Sequence, residues 1–330
     1  MRLVDAAVPM FARHETFHPR YGWFRKAYAH VAANPRAFFG DDAPVRIGVG
    51  KNMVRAIRFW GLAAKLISED PCSPTPRSPE LMTTPLGDAL FGEGGWDQYM
   101  EDPGTLWLLH WLLLAPPCHL PIWWLAFNDF HAVEFTEDDL QAAVDTQLDL
   151  AAEWRKPHLS SIRKDVGALL RTYAPPDRRR RVPIDDILDC PLRELDLISR
   201  SPGHERYRFT VGTKITLPSE VLAYSVLDYL NRIGISGTTV TVSRLALSPG
   251  SPGKAFKLTE SEILTGLERT VERTCGLDLV VATGGVQLTW SEDPGVLGRQ
   301  MLDEYYGVQG PHPPDRKKPD QLALAAVGDS

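Results

Sequence analysis

The sequence predicts a predominantly helical protein of the α+β class. Three observations predict it: apolar residues recur at helical spacing before residue 175, a Pro- and Arg-rich stretch follows, and strand patterns come only after that stretch. The 330 residues suffice for a large core and for more than one domain. We expect an N-terminal helical domain at 1–175, a linker at 176–183, a C-terminal α+β domain at 184–310 and a flexible tail at 311–330.

The N-terminal domain is predicted to contain a helix-turn-helix, with or without a wing, at 43–62. Residues 24–39 read as a helix that Pro35 breaks. Residues 45–67 combine a short apolar segment, a Gly-Val-Gly turn at 48–50 and a strongly periodic helix. Two helices joined by a short Gly-containing turn are the expected motif.

The most apolar stretch, residues 105–127, is expected to be buried in the core and not in a membrane. His110 interrupts it, and three prolines would break a spanning helix near its middle. The region 96–149 should be mostly helical, with Thr136 capping a helix that opens on Glu-Asp-Asp.

The C-terminal domain is predicted to be a smaller α/β unit, with a winged helix as one interpretation. Residues 207–217 and 238–247 read as strands with a helix at 219–232 between them. Thr259 caps a further helix, and residues 277–290 read as a hairpin that turns at a Gly-Gly pair. A helix followed by a hairpin is how a winged helix ends.

Cysteine usage favours a reducing compartment. The four cysteines lie far apart and form no Cys-x-x-Cys pair, which argues against a disulfide scaffold and against a thiolate zinc ribbon. The first residues lack the long apolar core of a signal peptide. We expect a cytoplasmic protein.

Charge is distributed unevenly along the chain. Residues 1–67 hold eleven Lys and Arg against four acids, a net charge of +7, although the whole chain carries −6. Residues 93–149 hold eleven carboxylates and no Lys or Arg. Because phosphate binding depends on local potential, the basic N-terminal part is compatible with nucleic acid. A dipolar surface without a partner is the alternative.

A cationic stripe follows the helix that begins at Lys51. At about 100° per residue, Lys51, Arg55 and Arg58 share one side, while Met53, Ile57 and Trp60 lie opposite. Asn52 lies at the edge of the basic side near the first turn. Cations and Asn at the start of a helix are typical of a recognition helix in the major groove of double-stranded DNA. An ordinary amphipathic surface helix remains the alternative.

Cations and aromatic residues also alternate just upstream, in a pattern suited to contacts with the DNA backbone or to stacking on an unpaired base. The candidate DNA-binding side chains of this segment are Arg20, Trp23 and Lys26.

Two short motifs are rejected or disfavoured. Gly50-Lys51 lacks the upstream Gly and the following Ser or Thr of a nucleotide-binding loop, so no nucleotide cofactor is expected. His14-Glu15-Thr16-Phe17-His18 matches the zinc protease signature His-Glu-x-x-His, but Pro19 would end the required helix at its second ligand. Zinc is therefore disfavoured.

Several segments together resemble one bacterial family. They are FARHETFHPRYGWFRKAY, IGVGKNMVRAIRFW, YMEDPGTLWLLHW, DCPLREL, SPGKAFKL and MLDEYY, spread from residue 11 to 306. The chain is similar to the SspB family, labelled a domain of unknown function, which includes the nickase of a single-stranded DNA phosphorothioation system. The resemblance implies that the protein cuts one strand so that partners can replace a phosphate oxygen with sulfur, marking self DNA against phage. The implied partners are a cysteine desulfurase, an ATPase and an ATP pyrophosphatase.

The resemblance assigns no catalytic residues, so the candidates come from the sequence. A nick requires an activated water and stabilisation of the charge that develops on the phosphate. His14, Glu15 and Arg20 could serve as base, metal ligand and charge stabiliser, and Glu101 with Asp102 could complete a Mg²⁺ or Mn²⁺ site with Glu15. The alternative for the His14 segment is a polar anchor of the fold. For the acids at 137–139 we favour a role at the start of a helix over metal binding.

Three functions remain open. A metal-dependent DNA nickase is the leading hypothesis, and a non-catalytic DNA-binding scaffold that recruits modification enzymes through the acidic 93–149 surface is the second. A zinc hydrolase built on the His14 motif is the third. The sequence leaves the oligomeric state open, with a homodimer as one arrangement.

Overall fold

The fold is mixed α+β, with helices dominant and the sheets small. The computed structural model describes residues 1–176, 190–201 and 205–307. Its strands form two two-stranded sheets and one three-stranded sheet within these ranges. The predominantly helical α+β class predicted from the sequence is confirmed.

The basic N-terminal segment folds into short helices followed by a hairpin. Its elements are α1 (Leu3–Ala6), α2 (Trp23–Ala33), α3 (Ala43–Ile47), α4 (Lys51–Ala63) and the antiparallel strands β1 (Ile67–Glu69) and β2 (Leu81–Thr83). The predicted helix at 24–39 ends at Ala33, since Asn34 leaves the helical conformation just before Pro35.

Helices α3 and α4 meet at the predicted turn and pack on α2. Gly48 takes a left-handed conformation with φ of 73°, which a glycine adopts without steric cost. In α4, a Cβ on Gly61 would lie 2.6 Å from the Cβ of Ala27 in α2, so only a glycine permits this close approach. The turn at Gly48 and the close contact at Gly61 together determine how α4 is oriented against α2.

The centre of the molecule is formed by five helices, of which the two most apolar are almost entirely enclosed. They are α5 (Pro85–Phe91), α6 (Pro103–Leu114), α7 (Pro121–Asn128), α8 (Glu137–Leu150) and α9 (Leu159–Tyr173). In α6 every residue from Gly104 to Leu114 is buried, and all of α7 is buried. No helix in the described part of the chain is long and apolar enough to cross a membrane. The apolar stretch 105–127 is core, as predicted.

His110 is a buried polar residue within this apolar centre. Its Nε2 donates to the carbonyl of Ala255 at 2.9 Å, which leaves Nδ1 to accept from the Tyr173 hydroxyl at 2.7 Å. Burial lowers the pKa of His110 to about 4, so the ring is neutral and both nitrogens are satisfied. The imidazole thus connects α6, α9 and the C-terminal part.

The C-terminal part contains more helix than the sequence predicts. Its elements are a 3-10 helix (Pro191–Leu195), β3 (Ile198–Arg200), β4 (Tyr207–Phe209), α10 (Ser219–Ile233), β5 (Thr239–Thr241), α11 (Val242–Leu247), α12 (Pro252–Phe256), α13 (Glu260–Val271), β6 (Leu277–Ala282), β7 (Gly285–Trp290) and α14 (Pro294–Tyr305). The hairpin at 277–290, the helix at 219–232 and the cap at Thr259 are confirmed, with β5, β7 and β6 adjacent in that order.

Two predicted strands are too long. The strand at 207–217 ends at Phe209, and the strand at 238–247 gives way to α11 after Thr241. The Thr241 hydroxyl accepts from the backbone N–H of Arg244 at 3.3 Å and so caps α11. One face of α11 packs in the core through the buried side chains of Val242, Leu245 and Ala246.

The buried residues on both sides of the predicted linker form one hydrophobic cluster. Trp111 of α6 donates its indole N–H to the Asp228 carboxylate of α10 at 2.8 Å, which joins the two parts directly. The predicted linker at 176–183, from residue 177 onwards, and the predicted tail at 311–330 lie outside the described residues.

Candidate nucleic-acid interface and the His14–His18 segment

The basic side of α4 lies at the surface at its N-terminal end. Lys51, Asn52 and Arg55 are exposed, whereas Arg58 is half-buried. The opposite side is core, as predicted: Ile57 and Trp60 are fully enclosed and Met53 is half-buried. The helix therefore presents the start of its cationic stripe to solvent and buries its apolar stripe.

Two of these cations are paired with the protein's own carboxylates. Arg55 lies 3.4 Å from Glu15, and its side chain remains 56% exposed. Arg58 lies 3.0 Å from Glu69 of the β1–β2 hairpin and packs over the ring of Phe39 at 5.0 Å. The prediction that all three cations project outward together is thus wrong for Arg58, which is directed at the neighbouring hairpin.

The His14–His18 segment is a turn and not a helix. Glu15 and Thr16 take φ angles of 52° and 67°, the left-handed region that interrupts a right-handed helix. Two imidazoles on one helical face, which the zinc signature requires, are therefore not formed here.

His14 lies in the core. It is 1% exposed, and its Nε2 donates to the Asp165 carboxylate of α9 at 2.7 Å. The same carboxylate accepts from the backbone N–H of Ala12 at 2.9 Å. The ring packs against Trp60 and Trp123. This burial and the bond to Asp165 favour the alternative given for the His14 segment, a polar anchor of the fold, over the predicted role of catalytic base.

The upstream candidates serve mainly in packing. Trp23 is only 5% exposed, so the prediction that it stacks on an unpaired base is wrong in this structure. Lys26 donates to the carbonyl of Ile47 at 3.2 Å and thereby ties α2 to the end of α3. The guanidinium of Arg20 lies over the rings of Phe17 and Trp23 at 6.0 and 5.8 Å, where it remains half-buried.

The carboxylates proposed as metal ligands do not form one site. Asp102 caps α6 by accepting from the N–H of Gly104 at 2.7 Å, and it also accepts from the Tyr305 hydroxyl at 2.5 Å. Within the described ranges no three His, Cys, Asp or Glu side chains are grouped as metal ligands, so Glu15, Glu101 and Asp102 are not brought together. Asp139 reciprocally caps α8 with Thr136, the helix-start role favoured from the sequence.

A pocket of about 650 Å³ lies beside the His14–His18 segment, and sequence reasoning missed it. His18 lines it together with charged side chains from α8, α9, the 3-10 helix, β3 and the segment just before β4. These residues are Glu137, Asp138, Arg163, Arg171, Arg193, Arg200 and Glu205. No local motif could have predicted the pocket, because its walls come from segments separated by up to about 190 residues.

Comparison with known proteins identifies relatives of this fold. A family model described as "Protein of unknown function (DUF4007)" matches residues 11–306. A magnesium ion-bound SspB crystal structure matches with a TM-score of 0.88 and 38% identity, covering 98% of this chain and 95% of its own. A second SspB crystal structure matches with a TM-score of 0.87 and 38% identity, covering 98% of each chain. No curated protein matches. The resemblance seen in the sequence is confirmed: the chain belongs to the DUF4007 family and is a relative of SspB.

Proposed function

We propose that this protein is the DNA-nicking, sequence-recognising component of a bacterial DNA phosphorothioate modification system that acts against phage. The observation that carries the proposal is the match to SspB over 98% of the chain at 38% identity. At this identity and coverage, the surfaces that serve the Ssp system are expected to be retained together with the fold.

The N-terminal elements support a winged helix-turn-helix. Helices α2, α3 and α4 followed by the β1–β2 hairpin have the element order of that fold, and α4 occupies the place of its recognition helix. Lys51, Asn52 and Arg55 are exposed on α4 and suit phosphates and base edges. We assign double-stranded DNA to this face.

The C-terminal part supports a second winged helix of different character. The sequence of elements α10, β5, α11, α13, β6, β7 with strand order β5–β7–β6 is that of a winged helix with α12 inserted. Its third principal helix, α13, exposes Glu260 and Glu268 against one cation, Arg269. Because α13 lacks the exposed cationic stripe of α4, we assign this part to contacts within the protein machinery and not to DNA.

A divalent metal, Mg²⁺ or Mn²⁺, belongs to the proposal because one SspB crystal structure is magnesium ion-bound. The described residues do not group three ligands, so we assign no metal ligands in this chain and derive no step through the metal. Neither zinc nor a nucleotide cofactor is proposed.

The ion pair between Glu15 and Arg55 gives Glu15 a testable role. If Glu15 only competes with DNA phosphate for Arg55, then Glu15→Gln strengthens DNA binding and preserves nicking. If Glu15 takes part in the chemistry, the same variant abolishes nicking while it still binds DNA. The two readouts separate a controlling role from a catalytic one.

The partners that the SspB relationship implies are the cysteine desulfurase, the ATPase and the ATP pyrophosphatase of the same system. The oligomeric state stays open in the proposal, and a homodimer is one arrangement. A non-catalytic DNA-binding scaffold is the second candidate, and the run of carboxylates at 93–149 without any Lys or Arg favours it as a partner-binding surface.

The test incubates supercoiled plasmid with the purified protein and Mg²⁺ or Mn²⁺, with EDTA as the reference. The nickase proposal expects open-circular product that EDTA abolishes, and intact plasmid together with a gel shift favours the scaffold.

Arg55→Glu should abolish the gel shift and leave the circular dichroism spectrum unchanged. Arg155→Glu, an exposed charge reversal in the loop before α9, is the matched control and should bind as the wild type does. Normal binding by Arg55→Glu would move the interface away from α4.

A further inference from the structure

The chain segment at residues 12–16 exposes a cation whose backbone is held from the core. The Ala12 N–H and the His14 imidazole both donate to the buried carboxylate of Asp165 in α9, at 2.9 and 2.7 Å. Arg13 stands between these two anchored residues and is exposed, whereas the His14 side chain is enclosed. The position of Arg13 on the surface is therefore determined by bonds that its own side chain does not make.

Helix α9 adds a second exposed cation beside Arg13. Lys164 directly precedes Asp165, which bonds to the residues on both sides of Arg13. At about 100° per residue, Lys164 lies on the same side of α9 as Arg171, which donates to the Thr16 carbonyl at 2.9 Å. Two positions of α9 that fall between this side and Asp165 are buried, namely Ala168 and Thr172. The 12–16 segment thus runs along α9, and Lys164 borders it at the level of Arg13.

The same segment reaches the exposed end of α4. Glu15, two residues after Arg13, pairs with Arg55 at 3.4 Å. The Lys, Arg, Asp and Glu residues of 12–16, 51–55 and 161–165 are five cations and two carboxylates: Arg13, Lys51, Arg55, Arg163 and Lys164 against Glu15 and Asp165. Because Asp165 is buried, cations dominate the surface formed by these three stretches.

Three of these cations are available to a ligand. The side chains of Arg13, Lys51 and Lys164 make no hydrogen bond or ion pair with any residue that the structure describes. No large exposed apolar side chain lies within 12–16, 51–55 or 161–165. Since the centre of a protein interface is enriched in such side chains, the surface suits a phosphate backbone better than a protein partner.

We propose that Arg13 and Lys164 bind backbone phosphates of the duplex whose groove α4 enters, so that the DNA-binding surface extends from α4 across the 12–16 segment onto α9. This inference rests on the proposed binding of DNA at α4 and adds two contacts from outside the helix-turn-helix. Cations that bind phosphate do not read bases, so they contribute affinity and orientation to every sequence alike. Because the backbone of both residues is anchored near Asp165, these contacts orient the duplex relative to α9.

The test measures binding of the full-length protein to a fluorescently labelled duplex by anisotropy over a series of salt concentrations. Each phosphate contact contributes about −0.9 to the slope of log Kobs against log salt concentration. Arg13→Ala and Lys164→Ala should each make the slope shallower by about one, and the double variant by about two, on duplexes of unrelated sequence. Lys164→Arg keeps the charge and should keep the slope. Arg269→Ala, which removes an exposed cation of α13, is the matched control and should behave as the wild type does.

The variants should melt as the wild type does, because the exchanged side chains have no partner among the described residues. If the wild type binds the duplex and the double variant has the same slope, this surface is overturned while α4 remains the DNA contact. An equal change in Arg269→Ala shows a general effect of charge and also overturns it. If the wild type does not bind DNA at low salt, the proposed function fails and this surface with it.

A polyglutamate peptide tests the other class of partner. Weaker binding of this peptide to the double variant, with an unchanged salt slope on DNA, assigns the two cations to an acidic protein and overturns the proposal. Plasmid nicking by the double variant should persist at low salt, because neither residue is placed in the chemistry. Absence of nicking in every form of the protein contradicts only the nickase activity.

Discussion

Asp165 is the residue on which the His14–His18 segment depends most directly. Its carboxylate, 3% exposed, accepts from the Ala12 N–H through both oxygens, at 2.9 and 3.2 Å, and from His14 Nε2 at 2.7 Å. Asp165→Ala leaves both donors buried without an acceptor. A buried donor left without an acceptor costs about 1–3 kcal/mol. With two such donors, we expect the free energy of unfolding to fall by about 2–6 kcal/mol.

Urea denaturation followed by circular dichroism measures this loss, and native-state hydrogen exchange localises it. The Ala12 amide should exchange slowly in the wild type and rapidly in Asp165→Ala, because its acceptor is gone. Asp165→Asn retains one acceptor oxygen and should lose less stability than the alanine variant. Asp138→Ala, which removes an exposed carboxylate of α8, is the control and should change stability by less than about 0.5 kcal/mol. A loss below about 1 kcal/mol in Asp165→Ala, with an unchanged Ala12 exchange rate, would refute the anchor.

Two further predictions concern stability. Ile57→Asp places a charge at a fully enclosed position of α4 and should unfold the N-terminal part, whereas Val45→Asp, at a position 85% exposed, should melt as the wild type does. Burial lowers the pKa values of three histidines far below 6.5, to about 3 in His18 and about 4 in His110 and His119. The unfolded chain therefore takes up protons first as the pH falls below 6.5, so unfolding free energy should decrease from pH 6.5 towards 4, by at most about 4 kcal/mol per unit. A flat profile in urea denaturation between pH 4.5 and 7 would contradict this.

The elements that sequence predicted well are those whose signals are local. The apolar stripe of α4, the cap at Thr259 and the Gly-Gly hairpin turn each lie within one short segment, and all three are present. The run Thr-Thr-Val-Thr-Val favours a strand by its β-branched residues. The strand nevertheless ends at Thr241, because the following residues form α11 and pack one of its faces in the core. Local β propensity cannot predict where this change from strand to helix occurs.

The candidate site was predicted less well because the surroundings of its side chains are set by distant segments. His14 and Asp165 are 151 residues apart, so no local pattern could show that the imidazole would be enclosed. Asp102 looks like a metal ligand in isolation, but Tyr305, about 200 residues further on, engages its carboxylate. Trp23 belongs to a pattern suited to base stacking, yet its ring is needed in the core.

The turn at Glu15 and Thr16 lies between the exposed end of α4 and the pocket that His18 lines. Two non-glycine residues in the left-handed region are unfavourable, so neighbouring contacts must maintain them. Arg171 holds the Thr16 carbonyl at 2.9 Å, Trp60 donates to the Phe17 carbonyl at 3.2 Å, and Glu15 faces Arg55. A phosphate that draws Arg55 away from Glu15 removes one of these contacts and leaves the segment attached to α9 and the core of α4. Because the bonds to the Thr16 and Phe17 carbonyls do not involve Arg55, binding at α4 would release Glu15 without displacing the rest of the His14–His18 segment.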